Sequence, residues 1–243
     1  MLQLGNGTLV SAIDNHSRPW YPILFEHQSI NESGDYRVIQ VKFTSGIDLL
    51  QAEWLQEIQQ MLPHVVDLFF VTEDSAVIIE QHASENLRLE ELDGLFVALD
   101  MDFDCYTHLF VGPFHHATHD FTLLLKEEMT LFQQQLQRQT NIKSMDLPTV
   151  LIHLFNTTSG NHQLLFRTLY QDWFQEDELI QVIETLWQNQ GNASSTAKAL
   201  FMHRNTLLYK IDKFQTVTNL NLKNMNDLLL CYFLVKNFPY PVD

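Results

Sequence analysis

Three clusters of side chains in this 243-residue chain have the types and spacing to do chemistry. In FHHATHD (residues 114–120), His115 and His119 stand at i,i+4 with His116 and Asp120 beside them. Imidazoles one helical turn apart can share a zinc ion. The cluster lacks the glutamate of an HExxH motif and has no evident third ligand, and polar residues at a helix start commonly cap. It is read as solvated or capping, with no metal site. In LDGLFVALDMDF, Asp93, Asp100, Asp102 and Asp104 could hold Mg²⁺ or act as acid and base; a helix end and a solvated loop account for them more simply. The third cluster, NASSTAKALFMHRNTLLYK (192–210), gathers hydroxyls, amides and cations, the groups that bond phosphate oxygens and base edges.

Other chemistries leave no trace. The chain has no GxxxxGK[ST] loop, no GxGxxG after a strand, no GxSxG and no CxxC. Its two cysteines, Cys105 and Cys231, lie in separate apolar runs without an adjacent histidine, as expected of buried thiols in a reducing compartment. No catalytic residue and no cofactor are assigned, and the chain is read as a non-enzyme.

The elements that must position the third cluster emerge when charge is split by position. The formal net charge is −16, yet residues 192–223 hold five basic residues against Asp212 alone, while residues 1–191 hold 8 Lys/Arg against 27 Asp/Glu. A basic segment on an acidic chain is an electrostatic footprint compatible with nucleic acid. The N-terminus has no basic region ahead of an apolar core, and the longest strongly apolar stretch, Leu228–Val235, is far shorter than a membrane span. A soluble cytoplasmic protein that does not enter a membrane is expected.

Along residues 20–140, strand and helix patterns alternate. WYPILFE and YRVIQVKF read as strands around the turn NESGD. Residues 48–61 read as a helix, VVDLFFVTEDSAVIIEQ as a hairpin over the loop TEDS, and the stretch from Ser84 or Glu85 as a second helix. YTHLFVG is then a strand broken by Gly112-Pro113, and 118–139 a long helix. Beyond a boundary near 141–147 only helices are expected, at 147–155, 160–172, 176–190, 194–201, 204–218 and 225–237. The fold class is therefore α+β: a mixed α/β domain over 1–143 and an all-α domain over 144–243.

Within the second domain, Asn192 or Ser194 can cap the short helix STAKALF, with small Ala197 and Ala199 admitting a neighbour closely. MHRN is a tight corner. In the next helix, Leu207, Ile211, Phe214 and Thr218 share one face, and Asn205, Thr206, Tyr209, Lys213 and Thr216 lie broadly opposite, with Lys210 on the flank. Two short helices joined by a corner, the second presenting polar and cationic groups, form a helix-turn-helix pattern over 194–218. Arg204 suits guanine or phosphate, and Asn205 suits adenine or a helix cap. Thr206, Tyr209, Lys210 and Lys213 suit phosphate, and Ser194 joins them from the first helix.

AKALFMHRNTLLYKIDKF resembles the C-terminal helix-turn-helix of PucR/CdaR-type transcriptional regulators, a family that includes purine-catabolism and sugar-diacid regulators. Asn192, Ser194, Ala197, Leu200, His203, Arg204, Asn205, Thr206, Leu207, Tyr209, Lys210 and Ile211 carry the match, which spans about 176–238 with TNLNLKNMNDLLLCYFLVK downstream. Two positions depart from the family pattern: Asn219 stands where Gly is usual and Lys210 where Arg is commoner. The resemblance implies a homodimer on a repeated or palindromic duplex site. It also implies a regulatory first domain with the fold of a degenerate cyclase, without cyclase activity because no Gly-Gly-Asp/Glu-Glu-Phe signature is present.

The expectation is a DNA-binding transcriptional regulator, modulated by a small-molecule effector or a partner. A metal-dependent enzyme built on His115 and His119, and an interaction module that has lost DNA binding, are the alternatives.

Overall fold

The computed structural model describes residues 18–31, 33–45, 47, 49–138, 141–154 and 162–238. Asp48, Gln139, Phe155, Gly160 and Asn161, included in the expected helices, lie outside the described residues. The chain divides into two compact units, Met1–Asp146 and Leu147–Asp243.

The first unit is built on β1 (Asp35–Ser45), which pairs antiparallel with β3 (Ser75–Gln81) on one side and β4 (Tyr106–Val111) on the other. β2 (Val65–Thr72) closes one edge as a hairpin with β3, and β6 (Ser144–Asp146) runs parallel to β4 at the other. The order is β2-β3-β1-β4-β6, with the two-residue β5 (His115–His116) pairing the start of β1. Because side chains alternate along a strand, a central strand covered on both faces must be apolar on both. Ile39, Val41 and Phe43 pack with Trp54 and Ile58 of α2 (Gln51–Met61) and Leu92, Phe96 and Leu99 of α3 (Leu89–Asp102). On the other face, Tyr36 and Val38 join Leu24 of α1 (Tyr21–Phe25) and Phe121 and Leu125 of α4 (Phe121–Arg138).

Several elements differ from the sequence reading. WYPILFE is helical over Tyr21–Phe25, not a strand. Pro22 in the first turn has its φ preset and no N–H to satisfy there, and the Tyr21 and Phe25 rings meet one turn apart, tilted, with centroids at 5.0 Å. The hairpin loop narrows to Glu73-Asp74, where the Asp74 carboxylate accepts from the Thr72 and Ser75 hydroxyls at 2.7 and 3.1 Å. α3 begins at Leu89, where the Glu91 carboxylate accepts from the Arg88 N–H at 2.9 Å. β6 falls at 144–146, within the stretch read as the start of the all-α domain. Three residues are too short to show a period.

The second unit holds α5 (Leu147–Leu154), α6 (Gln163–Trp173), α7 (Asp177–Gln188), α8 (Ala193–Ala199), α9 (Arg204–Thr218) and α10 (Met225–Asn237). α10 packs against α5, α6 and α7, burying Leu228, Leu230, Cys231, Leu234 and Val235. Aromatic pairs lock the remainder: Phe174 stacks on Phe214 at 6.0 Å and Trp187 on Tyr232 at 4.7 Å. No described helix is long and apolar enough to cross a membrane.

Candidate nucleic-acid interface

Helix α7 ends at Gln188 with Asn189 as its C-cap, and the chain turns through Gln190 and Gly191, both at positive φ, with the Gly191 N–H donating to the Leu186 carbonyl. Asn192 then caps α8, its side-chain oxygen accepting from the Ser194 and Ser195 N–H groups at 3.0 Å each. Thr196 and Ala197 are buried, and α8 packs between α7 and α9. Ala199, expected to admit a neighbour, is exposed.

The corner after α8 is a Schellman turn. The Met202 N–H donates to the Ala197 carbonyl and the Phe201 N–H to the Lys198 carbonyl, which places Phe201 in the left-handed region at φ 52°. Glycine is the usual occupant of that position; here a phenylalanine sits there with its side chain outside, 98% exposed. The sequence reading did not single it out. An exposed ring flanking the corner was visible in LFMHRN, but only the backbone geometry makes it anomalous.

His203 caps α9. Its Nδ1 accepts from the Asn205 N–H at 3.2 Å, which puts the ring proton of the neutral form on Nε2 and frees the Asn205 side chain from capping. The four residues expected inside, Leu207, Ile211, Phe214 and Thr218, are all buried. Arg204, Asn205, Thr206, Tyr209, Lys213 and Thr216 are exposed, Tyr209 at 69%. Ser194 is exposed at the first turn of α8. Lys210 is half-buried and pairs with Glu178 of α7 at 2.7 Å. At the far end, Asn219 adopts φ 63°. Asparagine tolerates this conformation better than other side-chain-bearing residues, so it can replace a glycine there.

The other two clusters point elsewhere. His115 is buried against Glu128 of α4, with Nε2 and Oε1 2.9 Å apart, whereas His116 bonds Asp35 and Asp120 bonds His27 at 2.9 Å. His119 lies beside His116, their rings stacked at 6.0 Å. The cluster is thus divided among separate partners, and among the described residues no group of three or more His, Cys, Asp or Glu could hold a metal ion. Burial pushes the Glu128 carboxyl up, outweighing the opposing effect of His115. Asp100 is buried and accepts from the Thr107 N–H and hydroxyl at 3.0 and 2.8 Å while pairing with Lys143, so it clips α3 to β4. Asp93 is half-buried, and Asp102 and Asp104 are exposed. Both cysteines are buried and free, and burial with the neighbouring Asp100 carboxylate pushes the Cys105 thiol up to about 11.

A short capped helix, a tight corner and a second helix locked by one apolar face, its polar face open to solvent, define a helix-turn-helix. Residues 179–236 match the PucR C-terminal helix-turn-helix domain. Residues 179–236 thus form a PucR-type helix-turn-helix domain, and the chain is a DNA-binding transcriptional regulator. A 75-residue stretch, 31% of this chain, is 39% identical to the carbohydrate diacid regulator of Escherichia coli (strain K12), covering 16% of that protein. The "Leucine-rich protein" of Streptococcus dysgalactiae subsp. equisimilis is 27% identical over 221 residues, covering 90% of this chain and 78% of the relative. Among solved structures, a regulator of polyketide synthase expression from Bifidobacterium adolescentis aligns over 86% of this chain and 81% of that one, with 14% identity and a TM-score of 0.41.

Proposed function

We propose that this regulator reads a specific duplex sequence with the N-terminal half of α9. Arg204 and Asn205 address base edges, and Thr206, Tyr209, Lys210 and Lys213 address phosphates. Ser194 reaches a phosphate from the first turn of α8. The observation that carries the reading is the division of α9 into a buried face of Leu207, Ile211, Phe214 and Thr218 and an exposed face holding Arg204, Asn205, Thr206, Tyr209 and Lys213. Phe201 is added to the set: a left-handed backbone and a ring left in water are two costs at one residue, which a contact on the DNA would offset.

The chain acts in the cytoplasm as a homodimer on a two-fold or repeated site, and its strongly acidic residues 1–143 form a regulatory domain that keeps duplex away from that part of the molecule by charge. A small-molecule effector bound by the regulatory domain shifts the population of DNA-competent dimers. In this reading the chain performs no catalysis.

Selection of bound duplexes from a random library tests the reading. A single enriched motif with two half-sites is expected, and binding should weaken steeply with salt as phosphate contacts release counterions. Recovery of unenriched sequence would contradict it.

A further inference from the structure

Phe201 carries a cost that the fold alone does not explain. It occupies the left-handed region at φ 52° in the corner between α8 and α9, and its ring is 98% exposed. The other non-glycine residues at positive φ among those described are His27, Asp104, Gln190 and Asn219, all polar. Asn, Asp and His enter this region several-fold more readily than other side chains, whereas a bulky residue there is an outlier. A glycine would close the same turn without strain, and a polar residue would leave no ring in water. A single exposed apolar side chain is ordinary on any surface. One held on a strained backbone, next to the polar start of α9, points to a contact made only in the complex.

Its position narrows that contact. Arg204, the first residue of α9, is three residues on, so the two Cα atoms are at most about 11 Å apart. The corner is fixed by the bonds of the Phe201 and Met202 N–H groups to α8, and a ring with two side-chain torsions loses little freedom on docking. In a helix-turn-helix the start of the second helix enters the major groove. There the one apolar group on a base edge is the C5-methyl of thymine, which phenylalanine is suited to meet. Insertion of apolar wedges between base steps belongs instead to minor-groove binders.

We propose that Phe201 determines specificity by packing its ring on the C5-methyl group of a thymine near the base pair read by Arg204. The inference rests on the reading of α9 as the base-contacting helix, and names the base feature that the corner before it selects.

The test replaces each thymine of one half-site of the selected duplex in turn by deoxyuridine, which removes only the methyl group and leaves pairing intact. Fluorescence anisotropy compares the parent chain with Phe201→Gly on every duplex. At one thymine the parent should bind the uracil duplex about fourfold more weakly, the effect of one buried methyl group. Its salt slope should be unchanged, because no phosphate contact is lost. Phe201→Gly should bind the thymine and uracil duplexes equally. Phe201→Asn, which also tolerates the left-handed corner, should do the same, and it decides alone if the glycine variant fails to fold. A half-site without thymine, or one indifferent to uracil at every thymine, overturns this inference alone, as does a uracil effect that persists in the variants. Failure to enrich any motif overturns the base-reading role of α9 and this inference with it.

Discussion

Lys210 of α9 and Glu178 of α7 form an ion pair at 2.7 Å, so a cation proposed to meet phosphate is already held by a carboxylate of the same domain. Glu178 is in the first turn of α7, and duplex must displace it or share the lysine with it. Glu178→Gln frees the lysine and removes a negative charge near the backbone of the DNA. Exposed pairs contribute roughly 0.2–1 kcal/mol, so affinity for the selected duplex should rise by a few fold at low salt and less at high salt. Fluorescence anisotropy at two salt concentrations measures it; unchanged or weaker binding would remove Lys210 from the interface.

Phe201 separates stability from function. Glycine relieves the left-handed backbone strain of roughly 1–2 kcal/mol, against its own entropic cost of roughly 0.5–1 kcal/mol. Phe201→Gly should therefore melt at the same temperature or slightly higher, while binding the selected duplex less tightly. A variant that binds as well as the parent would place the ring outside the interface.

The buried Glu128–His115 pair predicts a pH dependence of folding. Burial raises the Glu128 carboxyl above its usual range, so the folded chain retains a proton that the unfolded chain releases above about pH 4.3. Stability from this group is fully present below that pH and falls as pH rises towards the folded value. Glu128→Gln imitates the neutral acid and keeps an amide hydrogen for His115. Urea denaturation at pH 4.5, 6 and 8 should show a flatter profile for the variant, with its gain at the alkaline end. Parallel profiles would contradict the assignment.

Gly112 makes room for that carboxyl. A Cβ there would stand 2.6 Å from Glu128 Oε2 and 2.8 Å from the Val38 carbonyl oxygen, and the second is strand backbone that cannot yield. Gly112→Ala should cost about 2 kcal/mol or more, in the range of overpacked cores, read as a lower denaturation midpoint at unchanged slope.

The helix-turn-helix was legible from the chain alone because its evidence is local. Periodicity separated Leu207, Ile211, Phe214 and Thr218 from the polar face, and Asn192 carried the cap chemistry of α8. What escaped depends on residues far apart in sequence. Arg37 and Glu80, two charges inside central strands, form a buried ion pair at 2.7 Å that no strand pattern announces. The cluster of His115, His116 and His119 reads as solvated or capping, yet His115 is buried. The strand β5 turns successive side chains to opposite sides, so His115 meets Glu128 and His116 meets Asp35. WYPILFE carries strand propensity, but the first-turn preference of Pro22 prevails and the stretch is helical.

The central claim is that the exposed face of α9 reads base sequence. Its most direct test compares Arg204→Ala with Lys213→Ala on the selected duplex and on a scrambled duplex of the same length. Loss of the Arg204 contact should cost about 1–3 kcal/mol on the selected site and relax preference at one base pair. Loss of Lys213 should weaken both duplexes alike and lower the salt slope by about 1. Equal binding of the two duplexes by the parent chain, or an Arg204→Ala variant indistinguishable from it, would contradict the account.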